Sequence, residues 1–153
     1  MQKIRTFLWF NDQAEEAANF YISVFKNGKI LGAKRTNGKV LLVNFELHGQ
    51  EFMALNGGPH FKFTEAISLY VDCETQQEVD ELWEKLSDGG APGRCGWLKD
   101  KYGLSWQIIP KALGQLMSDP DPQKSQAVMQ AMLKMNKIVI KDLEQAHREA
   151  KAA

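Results

Sequence analysis

One feature constrains this chain more than any other: its second half can be laid on its first. FLWFND, from Phe7, lies on SLYVDC, from Ser68, at an offset of 61, and the apolar positions Ala17, Phe20 and Tyr21 lie on Val79, Leu82 and Trp83 at 62. GQEFMALN, from Gly49, lies on GLSWQIIP, from Gly103, at an offset of 54. The order strand, helix, closing strand is therefore repeated, and a repeated supersecondary unit is the mark of a duplicated module.

Hydropathy patterning gives that module its elements. KIRTFLWF reads as a strand, followed by a helix whose Ala14, Ala17, Ala18, Tyr21, Val24 and Phe25 recur at helical spacing behind an Asp12…Glu15 capping pair. GKILGAKRT, KVLLVNFEL and QEFMALN are β-rich runs parted by Asn37-Gly38 and His48-Gly49, dipeptides that favour tight hairpins. The first module, 1–57, thus reads βαβββ. The second, 58–111, restarts with AISLYVD and a helix carrying a Thr75…Glu78 capping box, a Val79/Leu82/Trp83/Leu86 core stripe and a Gly89 stop. Residues 112–153 form a helical tail in which Pro122 suits a first turn after Asp121, and Val128, Met129, Met132, Leu133 and Met135 make an apolar stripe. That stripe predicts packing on the tail's own domain or on a second subunit.

Composition narrows the function classes. Lys and Arg number 19 and so do Asp and Glu, interleaved to a formal charge of zero, so no basic face is implied and nucleic acid is not an expected partner. No apolar run approaches the roughly 20 residues that cross a bilayer, and MQKIRTFLWFNDQ shows no signal-peptide pattern, so no membrane partner is expected and the expected location is cytoplasmic. Cys73 and Cys95 lack a CxxC spacing and fit reduced structural thiols.

FLWFNDQAEEAANFYISVF, ISLYVD, CGWLKDKYGLSWQIIP and the tail from ALGQLM onward together resemble the PhnB-like, glyoxalase-related proteins of the vicinal oxygen chelate superfamily. Part of that branch carries the label 3-demethylubiquinone 3-methyltransferase-like. The resemblance implies a single α+β, glyoxalase-like domain of two βαβββ modules whose curved sheets enclose a cleft, with the helical extension added and commonly as a homodimer. In that architecture LSWQII returns after Gly103 as a cleft-lining strand.

Metal-dependent relatives place His, Gln or Glu on the first and last strand of each module. Carried onto this sequence, those positions fall at or near Arg5, Met53, Ala66 and Gln107, the register that the repeat offsets also give. A guanidinium, a methyl and a thioether do not replace imidazole or carboxylate around a divalent ion, so no metal and no other cofactor is expected. Glu51 or His60 entering from a neighbouring strand or linker is the weak point of that reading; His48 reads as a turn residue and His147 as a surface helix residue. Methyl transfer in a doubly wound fold needs a glycine-rich first turn, which FNDQAEE lacks.

Alternation sets the expected cleft. Phe7 and Trp9 are in phase with Arg5, Ser68 and Tyr70 follow Ala66, and Met53, Leu55, Ser105 and Gln107 lie on the closing strands, with Trp97 at the rim and Asp100 as a further polar group. The candidate ligand-binding residues are therefore Arg5, Phe7, Trp9, Met53, Tyr70, Trp97, Asp100 and Gln107. The expected function is the binding of a small apolar or aromatic molecule in a metal-free cleft. The alternatives are a metal-dependent lyase or dioxygenase of the superfamily and an assembly or regulatory protein acting through the tail; the sequence leaves catalysis open.

Overall fold

The computed structural model describes residues 2–151. The first residue of the first module and the last two of the tail lie outside them. The chain divides into two compact units, one ending at Phe63 and the other beginning at Thr64.

The first unit runs β1 (Thr6–Phe10), α1 (Ala14–Phe25), β2 (Gly28–Thr36), β3 (Lys39–Leu47) and β4 (Gln50–Asn56), in a sheet of order β1-β4-β3-β2. β1 runs parallel to β4, because the α1 crossover and two hairpins return the chain beside its start. Asn37 and Gly38 have φ of 54° and 77°, His48 and Gly49 of 47° and 82°. Positive φ at both central residues is the two-residue hairpin turn that matches strand twist, and it fixes Thr36 opposite Lys39 and Leu47 opposite Gln50. Period-2 alternation then buries Leu8, Phe10, Val43, Phe45, Phe52 and Ala54 with Ala14, Ala17, Ala18, Tyr21 and Val24 of α1. Phe45 stacks between Tyr21 and Phe52 at centroid distances of 6.2 and 5.1 Å.

Two local expectations are corrected. The Asp12…Glu15 pair does not cap α1: the N-cap is Gln13, with no side-chain bond, and Asn56 Oδ1 at the end of β4 accepts from Ala14 N at 2.8 Å instead. Asn56 faces Phe10 across the parallel pair, which delivers its amide to the helix start. The first strand begins at Thr6 rather than Lys3, because the Gln2 side chain takes the backbone of Gly49 and Glu51.

The second unit repeats the order: β5 (Ser68–Cys73), α2 (Gln76–Ser87), the two-residue β6 (Ala91–Pro92), β7 (Trp97–Lys99) and β8 (Ser105–Pro110), in a sheet β5-β8-β7-β6 with β5 parallel to β8. Both units are thus βαβββ. Thr75 Oγ1 caps α2 by accepting from Glu78 N at 3.1 Å, while Glu78 returns to Glu74 N rather than to Thr75. Val79, Leu82 and Leu86 are buried, whereas Trp83, placed on the same stripe from sequence, stays half-buried at its edge.

The tail folds as α3 (Lys111–Met117), α4 (Pro122–Leu133) and α5 (Ile140–Glu149), with Asp121 capping α4 as expected. It packs within its own unit. Ile109 of β8 joins Leu113, Val128, Ile138 and Leu143 in one buried cluster, with Met132 and Met135 against it. Met135 O and Asn136 O accept from Cys95 N and Gly96 N, both at 2.8 Å, and Gln76 at the start of α2 bonds both Ile138 O and Ile140 N. Met129 and Leu133, expected on the same stripe, lie one position round the helix and remain 40% and 45% exposed. Among the described residues no helix is long and apolar enough to cross a membrane.

Cys73 is fully buried beneath α2, and burial first, then the charges of Glu78, Asp72 and Glu74, pushes its thiol from 9.0 up to about 12. The folded chain therefore holds this proton in a window where the unfolded chain releases it. Stability conferred by the neutral thiol is complete below pH about 9 and is lost as pH rises toward 12, by about 1.4 kcal/mol per pH unit at most. Thermal melts across that window are expected to fall more steeply for the native chain than for Cys73→Ala; parallel curves would contradict the assignment.

Candidate functional site on the open sheet faces

Each sheet buries one face under its own helix and leaves the other for the residues expected around a ligand. In the first unit, Phe7 stands opposite Met53 and Trp9 opposite Leu55 on the face away from α1. Phe7 is 51% exposed and Met53 half-buried. Trp9 is fastened rather than open: its Nε1 donates to Gly58 O at 2.9 Å and Phe61 meets its ring edge-on at 4.9 Å. Gly57 lies so close beneath the indole that a Cβ there would sit 2.3 Å from Trp9 Cζ2, which explains the Gly57-Gly58 pair. Arg5 meets Glu51 at 3.9 Å, so its guanidinium already has a carboxylate.

In the second unit the register builds two adjacent rows on the face away from α2. Tyr70, Gln107 and Trp97 form one; Ser68, Ser105 and Lys99 form the other. Gln107 Nε2 donates to Ser68 Oγ at 2.9 Å. Tyr70 is 56% exposed, and burial of its inner part, followed by the Asp72 charge, holds its hydroxyl above the usual phenol range. Beside Trp97 the sheet carries a recess of about 240 Å³, walled by Pro92, Gly93, Trp97, Leu98, Lys99 and Ser105. Ser105 is 1% exposed, and its Oγ has no hydrogen-bond partner among the described residues. At the mouth, Lys99 pairs with Glu65, and the Lys99 hydrogen bond holds the Glu65 carboxyl below its usual range.

Asp100 is the candidate that leaves the list. It is 2% exposed, and its Oδ1 accepts from Tyr102 N at 2.9 Å and Leu104 N at 3.0 Å while Oδ2 accepts from Trp106 Nε1 at 2.9 Å. The carboxylate closes the β7–β8 turn from inside. Lys99, Glu65 and the importance of Ser105 were not evident from sequence, since Lys99 reaches this face only through the β7–β8 pairing.

The fit to a divalent metal follows from these rows. Arg5, Met53, Ala66 and Gln107 do not form a matched set: Met53 opposes Phe7, Gln107 opposes Tyr70, Arg5 lies beside Glu51, and Ala66 precedes β5. Against the true register the Arg5–Met53 match is out by two residues and the Ala66–Gln107 match by four, shifts that keep the face and change the row. On the first sheet Arg5, Phe7, Glu51 and Met53 offer one carboxylate, already paired with a guanidinium, and on the second Ser68, Tyr70, Ser105 and Gln107 offer none. Among the described residues no three His, Cys, Asp or Glu side chains gather as around a metal ion. His60 is exposed, His48 sits in its hairpin turn near Phe25, and His147 pairs with Asp119 at 2.8 Å. These residues do not fit the superfamily's ion.

Two βαβββ units, each with a helix on one face of a four-stranded mixed sheet, make this a glyoxalase-like α+β fold. Within that class, residues 2–109 match the family model described as 3-demethylubiquinone-9 3-methyltransferase, and the chain belongs to this PhnB-like family. A PhnB protein from Bacillus cereus is 43% identical, covering 71% of this chain and 99% of its own, with a TM-score of 0.66. Protein PA1353 from Pseudomonas aeruginosa is 16% identical, covering 72% and 98%, with a TM-score of 0.60, and shares the fold. A glyoxylase/bleomycin resistance protein/dioxygenase domain from Frankia sp. EAN1pec is 14% identical, covering 72% and 92%, with a TM-score of 0.48. Among proteins of curated function none matches. The family match ends before α3.

Proposed function

We propose that this protein binds a small apolar or aromatic molecule on its open sheet face without a divalent metal. The carrying observation is the second-unit recess, where the half-buried Trp97 borders about 240 Å³ of space closed at its base by an unpartnered buried hydroxyl. An apolar wall with few polar groups is the make-up of small-molecule sites, the apolar part supplying affinity and the polar part orientation. Methyl transfer, which the family description suggests, finds no support in the first strand-helix turn: Asn11–Gln13 holds no glycine to admit a nucleotide-like methyl donor. The homodimer implied by the family resemblance is carried as part of the same proposal.

Benzamide serves as a neutral aromatic probe. In titrations followed by NMR, the indole Nε1–H of Trp97 and the side-chain amide of Gln107 are expected to shift while the Nε1–H of Trp83 stays fixed. Native mass spectrometry of untreated protein is expected to show a co-purified small molecule. No shift at Trp97 at millimolar benzamide, or equal shifts at Trp83, would overturn the reading.

A further inference from the structure

We propose that the Ser105 recess is an acid-binding subsite: it takes a small ligand with an aromatic or apolar body and a carboxylate that replaces Glu65 on Lys99 and accepts a hydrogen bond from Ser105 Oγ. This deepens the reading above and rests on it. Three observations meet here. Ser105 Oγ is buried with no hydrogen-bond partner among the described residues, and a buried hydroxyl in that state calls for an explanation. Gln107, next along the same face, bonds Ser68 and does not line the recess.

Lys99 stands directly across the β7–β8 ladder from Ser105, and both line the same recess. An ammonium and a hydroxyl that line one recess are donors suited to one carboxylate, and hydrogen bonds to an ionised acceptor are the stronger kind. The third observation is what occupies the lysine. Glu65, from the segment before β5, also lines the recess and holds Lys99, yet its side chain is 60% exposed. Exposed ion pairs contribute little, so an arriving carboxylate exchanges with Glu65 at small cost. Glu65 is a carboxylate standing where the ligand's would go. Trp97 and Ala91 stand on the same face as Lys99 and Ser105 and give the body of the ligand an apolar wall, and about 240 Å³ admits one substituted ring, the space of about eight waters.

The test compares benzoate with benzamide by calorimetry and NMR on the full chain. Benzoate is expected to bind about tenfold more tightly than benzamide, since only the anion gains the charge-assisted bond. Lys99→Gln should remove that preference. Glu65→Gln should tighten benzoate about threefold by freeing Lys99. Both positions are surface-exposed, so neither change threatens folding; Ser105→Ala, which removes an unpartnered hydroxyl, should fold normally and weaken benzoate. If benzamide shifts Trp97 but benzoate binds no better and Glu65→Gln changes nothing, the acid-binding subsite is wrong while small-molecule binding stands. If neither probe shifts Trp97, both are overturned.

Discussion

Asp100→Ala is expected to lower stability by about 3–5 kcal/mol, because it strands backbone and indole donors that now share one buried carboxylate. For a domain of this size that is a fall in Tm of about 10 °C or more. Asp100→Asn keeps the shape but turns an NH2 toward groups that also donate, so it should lie between alanine and the native chain. Ser105→Ala, five residues on and just as buried, is the opposite case: its hydroxyl has no partner to lose, and the melt should stay within about 1 kcal/mol of native. Thermal and urea unfolding of the three variants measures the contrast. A mild Asp100→Ala would mean that water replaces the carboxylate and that the turn is not built on it.

Ile138→Ala should cost about 2–5 kcal/mol, the range for truncating a fully buried aliphatic side chain whose site cannot collapse. Ile138 is 0% exposed among Ile109, Leu113, Val128 and Leu143, and its carbonyl takes the Gln76 amide at 2.9 Å. Met129→Ala, on the exposed side of α4, should change stability by no more than about 0.5 kcal/mol. The family match stops at residue 109, yet the tail packs on β8 and α2, which predicts that it unfolds with the second unit. Urea transitions by tryptophan emission and by helical circular dichroism should coincide, and Ile138→Ala should move both together. A separate early helical transition, or a loss below 1 kcal/mol, would show the tail to be independent.

The elements of the fold were legible because they rest on local rules. Asn37-Gly38 and His48-Gly49 accept the positive φ of a two-residue hairpin, and the turn then dictates which residues oppose one another. Period-2 alternation assigned Phe7, Trp9, Met53, Tyr70 and Gln107 to the faces they occupy, and the helical stripes of α1 and α2 pointed inward as read, except at the half-buried edge positions Phe25 and Trp83. Where two elements had to meet, local rules ran out. The cap of α1 comes from Asn56, on a strand far along the chain, and the residues flanking α1 carry no trace of it.

The sequence by itself determined the duplicated βαβββ order, its hairpins, the family and the face of each strand, since periodicity and turn chemistry act between residues a few positions apart. Only the tertiary structure decided which residues share a row on that face and what each is bonded to. A shift of two residues leaves alternation unchanged, so Arg5 and Met53 look matched in the sequence, yet Arg5 lies beside Glu51 and Met53 opposite Phe7. Asp100 likewise reads as a polar cleft residue until the hairpin closes and three N–H groups converge on it. Ser105 and Lys99 meet across the β7–β8 hairpin, whereas Glu65 reaches Lys99 from the segment before β5, a meeting set by the packing of the unit and not by any neighbourhood of the chain.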